Sequence, residues 1–281
     1  MVFKMITPFE KFLEKFKQSF TSNQSMIYVV LANVFSMRII GNKTHGDLAE
    51  IALTEYINQF VGGFSAKHTG KEKFRAKKFE EDIRVKNLET NEEIPISIKT
   101  YGSGPLQLST NKDSSMFTHL RSTVANGEVV SLPEIKKILG NPCFADFKGV
   151  NVLPLIYNEK KMLFRVIVFE LRRAYTAVRH IKFIAPRKLG KKKTFPIYKF
   201  YDGNSECVFE VRYGDAKANA LQRGMWTHTE NARKYFTELL TGEYQINELL
   251  INLISKILVS PKEKHEEILK LFPASKEKSV I

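Results

Sequence analysis

The chain has 281 residues, 43% of them hydrophobic and 26% charged, a composition that can bury a sizeable core and excludes wholesale disorder. Lys and Arg number 44 against 30 Asp and Glu, and a formal charge of +14 favours a polyanionic partner, nucleic acid before acidic membrane. Two cysteines, Cys143 and Cys207, are too few for a disulfide framework or a four-cysteine zinc site, and they fit a reducing compartment.

Thr7-Pro8-Phe9-Glu10 has the form of a helix start: Thr7 caps, Pro8 suits the first helical position and Glu10 completes a capping box. Phe9, Phe12, Leu13, Phe16 and Phe20 then recur at helical spacing. A second helix is predicted over 25–37, ending before Gly41-Asn42. The most apolar window, 26–40, is too short for a bilayer and carries Arg38, and the N-terminus lacks a secretory pattern, so a cytoplasmic protein without a membrane partner is expected. A third helix follows Gly46, with Leu48, Ile51, Ala52, Tyr56 and Phe60 on its apolar side, and stops at Gly62-Gly63.

The period then changes to two. Residues 82–86 and 94–99 alternate polar and apolar side chains around a polar connection, as a hairpin does. Further strands are expected at 150–157, 162–171, 195–201 and 206–213, and helices at 231–240, 247–258 and 264–272. Helices, strands, then helices again predict an α+β (α/β) fold with one mixed central β-sheet flanked by helices. We read 1–281 as a single domain: helices and hairpin core to 140, a basic strand-rich part over 141–230, and C-terminal helices over 231–281. Between Lys160 and Lys199 thirteen Lys/Arg face one acid, Glu170. Arg187, Lys188, Lys191, Lys192 and Lys193 are the densest part, with Tyr175, Phe183, Phe195 and Tyr198 interleaved, which suits sequence-independent contact with phosphates.

The hairpin carries the chemistry. A symmetric centre between Thr90 and Asn91 sets Asp82 across from Lys99 and Arg84 across from Ser97. Period-two geometry places Ser97 and Lys99 on one strand face, opposite Ile96 and Ile98. Phosphodiester hydrolysis uses a hard divalent cation held by one or two carboxylates, a carbonyl and waters. In that role Asp82 anchors Mg2+, Ile98 lends its carbonyl and Lys99 faces the nucleophile. The plainer alternative is a cross-strand ion pair between Asp82 and Lys99, worth about 0.2–1 kcal/mol.

The segment Glu-Asp82-Ile-Arg-Val, then Ile-Pro-Ile-Ser97-Ile-Lys99-Thr, preceded by the helix opening Gly46-Asp-Leu-Ala-Glu50, resembles the PD-(D/E)xK nuclease superfamily and, within it, type II restriction endonucleases. The resemblance covers 44–110. It implies a restriction-endonuclease-like core, Mg2+-dependent cleavage of double-stranded DNA to 5′-phosphate ends, and catalytic roles for Asp82, Ser97, Lys99 and Glu50. It further implies Asp82, Glu50, Ser97 and Ile98 around the metal, a homodimer, and a cognate DNA methyltransferase that the enzyme does not contact. The chain departs from the family pattern twice: no proline precedes Asp82, and Ser97 stands where an acid is usual. Glu50 and Glu55 flank the helix's apolar side on opposite borders, so either carboxylate can reach the site.

Two segments carry side chains suited to base edges. One follows the lysine and contains Gln107, Ser109 and Asn111; the other contains Lys217, Asn219, Gln222 and Arg223. Read without DNA, the second is a helix start above a buried Trp226. The competing functions are a non-catalytic basic DNA-binding protein and an RNA-directed nuclease, although the chain has no RNP-like aromatic pattern.

Overall fold

The computed structural model describes residues 6–41, 44–69, 81–102, 104–110, 114–148, 150–186, 188–189, 192–193, 195–213, 223–259 and 264. The chain begins with α1 (Pro8–Ser22) and α2 (Gln24–Ser36), then α3 (Thr44–Phe60). The capping box forms: Thr7 Oγ1 accepts from the Glu10 amide at 3.1 Å, and Glu10 Oε2 accepts from the Thr7 amide at 2.7 Å. Phe12, Phe16 and Phe20 are buried along one stripe of α1, each burial contributing about 1.5–3 kcal/mol. Phe12 meets Phe64 edge-on at 5.5 Å, and the Ser19 and Tyr56 hydroxyls share a hydrogen bond of 3.2 Å that ties α1 to α3. Ala49, Leu53, Tyr56 and Ile57 form the buried side of α3; of the expected apolar stripe only Tyr56 is buried, while Leu48, Ile51, Ala52 and Phe60 are half-buried beside it. Gly63, at φ +83°, turns the chain out of α3 in a conformation that disfavours other residues.

The sheets are the main surprise. Mixed α/β architecture is as expected, but the expected single sheet is two six-stranded sheets. The first contains β1 (Phe64–His68), β2 (Ile83–Asn87), β3 (Glu93–Tyr101), β6 (Asn151–Asn158), β7 (Leu163–Phe169) and β14 (Phe236–Glu243), in the order β1-β2-β3-β6-β7-β14. Only β3 and β6 run parallel; the other pairs are antiparallel. The second contains β4 (Pro105–Ser109), β5 (Glu128–Val129), β8 (Val178–Ile184), β11 (Ile197–Asp202), β12 (Cys207–Tyr213) and β13 (Arg223–His228), ordered β4-β13-β12-β11-β8-β5. A small hairpin, β9 (Lys188–Leu189) with β10 (Lys192–Lys193), extends the β8–β11 connection.

Each sheet has its own core. Ile83, Val85, Ile94, Ile96 and Ile98 point from the first sheet into the phenylalanine-rich layer of α1, α2 and α3. Leu106, Leu108, Tyr198, Phe200, Phe209, Val211 and Met225 line the second core, covered by α4 (Met116–Thr123), α5 (Leu132–Gly140), α6 (Ala145–Lys148) and α7 (Leu171–Ala177). Val152 and Phe169 turn from the first sheet into this second core, so the two layers share a boundary. Gly224 is required where β13 meets β4: a Cβ there would lie 2.0 Å from the Leu108 carbonyl oxygen, and its φ is +129°.

Three expectations are corrected. Residues 231–240, expected to be helical, form a 3-10 turn (Arg233–Tyr235) and the edge strand β14, because pairing with β7 overrides a helix-favouring composition. Residues 223–228 are a strand and not a helix start over Trp226. The hairpin register differs by two, with Ile83 opposite Ile96 and Arg84 opposite Pro95. The C-terminal helix forms as α8 (Glu248–Val259), where Asn247 caps Leu250 and hydrogen-bonds Ser36 and Asn33 of α2. Of the expected helix at 264–272, all but residue 264 lies outside the described residues. No helix among the described residues is long and apolar enough to cross a membrane.

Candidate active site at the β2–β3 edge

The two-residue shift alters which side chains face each other but keeps every residue on its expected sheet face, because side chains alternate with period two. Asp82 now lies against Ser97, and Lys99 sits one diagonal further along β3. The turn explains the shift. Asn87 Oδ1 accepts from the amides of Glu89 and Thr90, and Asn91 takes φ 60°, which pulls the centre of the hairpin back by one position.

β2 peels away from β3 at Asp82. The Asp82 amide still donates to the Ile96 carbonyl at 2.9 Å. Beyond that point its carboxylate replaces the missing strand: Oδ2 accepts from the Ile98 amide at 2.7 Å and from Ser97 Oγ at 3.0 Å. Asp82 is 1% exposed and Ser97 fully buried, so this carboxylate is held rigidly. In an antiparallel pair one residue's amide and carbonyl leave the strand on the same side. The Ile98 carbonyl therefore points toward the edge where Asp82 sits. Lys99 is half-buried on the Asp82 side of the sheet, within the ~7–8 Å reach of diagonal cross-strand neighbours. The Ser97 hydroxyl spends its proton on Asp82, so what it does in this geometry is hold that oxygen in place.

Glu50 and Glu55 separate clearly. Glu55 is exposed, whereas Glu50 is 8% exposed and its Oε2 lies 2.8 Å from His68 Nε2. His68 belongs to β1, directly opposite Ile83, and the next amide, Thr69, donates to the Asp82 carbonyl at 3.0 Å. Glu50 thus reaches the same end of the sheet as Asp82, from the helix side. Sequence reasoning missed His68, whose short run Phe64-Ser-Ala-Lys-His68 carries neither β-branched residues nor a motif spacing. Arg84 of β2 pairs with Glu93 at 3.1 Å and with Glu81 at 2.5 Å, which fixes the strand just beyond the site.

Asp82, the Ile98 carbonyl and Glu50 are all hard oxygen donors, and two of them converge on one strand edge, which fits Mg2+. Among the described residues no group of three or more His, Cys, Asp or Glu side chains converges on a common point. Magnesium uses one or two carboxylates and keeps several waters, so it does not need such a cage.

Of the residues expected to meet DNA, Gln107, Ser109 and Arg223 fall on the second sheet. Gln107 and Ser109 project from β4 on the face away from the core, since Leu106 and Leu108 occupy the core face. Ser109 lies opposite Gly224 and Gln107 opposite Trp226, so β4 runs alongside β13, the strand that begins at Arg223. Alternation points Arg223, at the start of β13, to the opposite face from Gln107 and Ser109. Lys199, Glu210, Trp226 and Gln107 form one cross-strand row, and the Arg212 guanidinium lies 4.3 Å over the Trp226 ring while pairing with Glu210. Lys188, Lys192 and Lys193 lie in the small basic hairpin. Asn111, Arg187, Lys191, Lys217, Asn219 and Gln222 lie outside the described residues. The chain matches no protein-family model and no curated protein.

Proposed function

We infer that the protein is a Mg2+-dependent, sequence-specific double-stranded DNA endonuclease of the type II restriction class, cleaving phosphodiesters to leave 5′-phosphate ends. One observation carries this reading: the Asp82 carboxylate is fixed at the edge toward which the Ile98 carbonyl points, with Lys99 next along the strand. Asp82 and Ile98, with Glu50 from α3, would hold the cation. Bound there, it would activate water and offset charge on the phosphate. Ser97 and the Ile98 amide keep Asp82 from rotating away. Lys99 orients the attacking water and stabilises charge growing on the phosphoryl oxygens.

The formal charge of +14 and the basic β9–β10 hairpin supply phosphate contacts. Gln107 and Ser109 follow the catalytic strand after the short link 102–104, so base contacts are mechanically close to Lys99. Most such sites are palindromic, and a homodimer with a separate protecting DNA methyltransferase completes the proposal.

The test is digestion of a sequenced plasmid with Mg2+, with the ends mapped. Cleavage at one sequence, lost with EDTA and in Asp82→Ala and Lys99→Ala, supports the reading. DNA binding without cleavage at any divalent concentration replaces it with a non-catalytic basic DNA-binding protein. Preferential cleavage of RNA replaces it with an RNA-directed nuclease.

A further inference from the structure

α3 meets the outer edge of β1 at two points. Asn58 accepts from the Ala66 amide at 2.7 Å and donates to the Ala66 carbonyl at 3.1 Å, satisfying backbone groups that β2 does not reach. Two residues along the strand and two helical turns back, His68 Nε2 meets Glu50 Oε2 at 2.8 Å, and each side chain is 10% exposed. The bond ties the orientation of the carboxylate to that of the imidazole ring. Burial leaves Glu50 few alternative positions, and β1 is itself registered against β2 through Ile83, the neighbour of Asp82.

We propose that His68 is a positioning residue of the metal site. It engages Glu50 Oε2 and fixes the plane of the carboxylate so that Oε1 is presented to a divalent cation shared with Asp82. The proposal rests on the metal reading above. It assigns His68 no proton transfer and no direct contact with the cation. Groups that hydrogen-bond a metal's own ligands set their orientation, and losing one typically costs 10–100-fold in metal affinity.

The experiment is a titration of the full chain with Mn2+, with unbound ion read by electron paramagnetic resonance, alongside thermal melts of the metal-free protein. The variants are His68→Ala, His68→Asn and His68→Gln. The glutamine amide nitrogen reaches the position of imidazole Nε2, whereas the asparagine amide falls short. The expected result is Mn2+ affinity reduced about tenfold or more in His68→Ala and His68→Asn, and within about threefold of wild type in His68→Gln. The two amide variants should melt alike. If His68→Ala does not fold, the contrast between the two amides carries the test. Equal Mn2+ affinity in wild type and a folded His68→Asn overturns the proposal, as does affinity that tracks melting temperature across all variants. Wild-type protein that takes up no Mn2+ overturns the metal reading, and this inference falls with it.

Discussion

The two sheets are alike in strand number and differ in how they use polar side chains. On the first, Asp82 and Ser97 are sealed against β3, and their hydrogen bonds stand in for backbone pairing. On the second, Lys199, Trp226 and Gln107 stay partly exposed in a row across four strands that includes the buried Glu210, and the partly exposed Arg212 joins Glu210 to Trp226. A group that must hold a small cation needs few positions, each of them rigid. A surface that meets a long polyanion needs many contacts, each of them weak. On the proposed reading, the first arrangement would couple function to stability, and the second would separate them.

Substitutions at Asp82 and Lys99 would expose that coupling most strongly. Both Asp82→Ala and Lys99→Ala should lower cleavage by about a thousandfold. Only Asp82→Ala should also destabilise the fold, by about 2–4 kcal/mol, because it strands the buried Ser97 hydroxyl and Ile98 amide. Lys99→Ala should stay within about 1 kcal/mol of wild type. Paired denaturant melts and plasmid digests check this, and equal stability of the two variants would mean that Asp82 is not built into the strand edge as described.

The second sheet should behave in the opposite way. Replacing Lys188, Lys192 and Lys193 together by alanine should weaken duplex binding by about ten- to a hundredfold at moderate salt. It should also flatten the slope of log K against log salt by about two to three, and leave the melting temperature unchanged. Filter binding at several salt concentrations measures the slope. An unchanged slope would move the phosphate contacts away from the β9–β10 hairpin.

Ser97→Ala lies between these extremes. It removes one of the two hydrogen bonds to Asp82 Oδ2 and leaves the Ile98 amide in place. Expected are a loss of about 1 kcal/mol in stability and a roughly tenfold rise in the Mg2+ concentration needed for half-maximal cleavage. A requirement unchanged from wild type would show that Ile98 alone suffices to orient the carboxylate.

Much of the first region was legible in the sequence because its signals are local. The capping box at Thr7 and Glu10, the phenylalanine stripe of α1 and the Gly62-Gly63 stop of α3 each lie within one or two turns of chain. The hairpin was legible in its face assignment but not its register, since alternation fixes parity alone and the Asn87 turn decides the rest. In the second region the strands β11 and β12 were legible, but the pairing that builds their sheet was not. β4 pairs with β13 more than a hundred residues away, and nothing in Pro105-Leu-Gln-Leu-Ser109 names its partner. Even in the first sheet one strand was hidden: Asn-Ala-Arg-Lys-Tyr-Phe-Thr-Glu-Leu-Leu240 has the composition of a helix, yet β7 offers it an edge to pair with. Glu50 could be told from Glu55 only once His68 was in place opposite it.

Acid offers the mildest way to part the two regions, and it needs no substitution to begin. His45, at the start of α3, is buried edge-on against Tyr157, and neither ring nitrogen hydrogen-bonds within the described residues. Burial lowers its pKa below the ordinary 6.5; the Arg38 charge adds to the shift, and Glu159 and Asp47 oppose it. Below about pH 6.5 the unfolded chain therefore takes up a proton that the folded one resists, so stability falls with pH until the folded histidine also titrates. In the second region, burial alone would raise Asp202, but hydrogen bonds from Lys234, Tyr235 and the amides of Asn204 and Glu206 outweigh it and hold the carboxyl at about 2. Its contribution is complete above the ordinary 3.8 and disappears only as pH falls through about 2. Between pH 6.5 and 4, hydrogen exchange should accelerate in α3 and β6 while β11 and β12 keep their protection. His45→Phe should remove the difference. Equal acceleration in both sheets over that range would mean that they open as one unit, and that the division drawn between them does not extend to their stability.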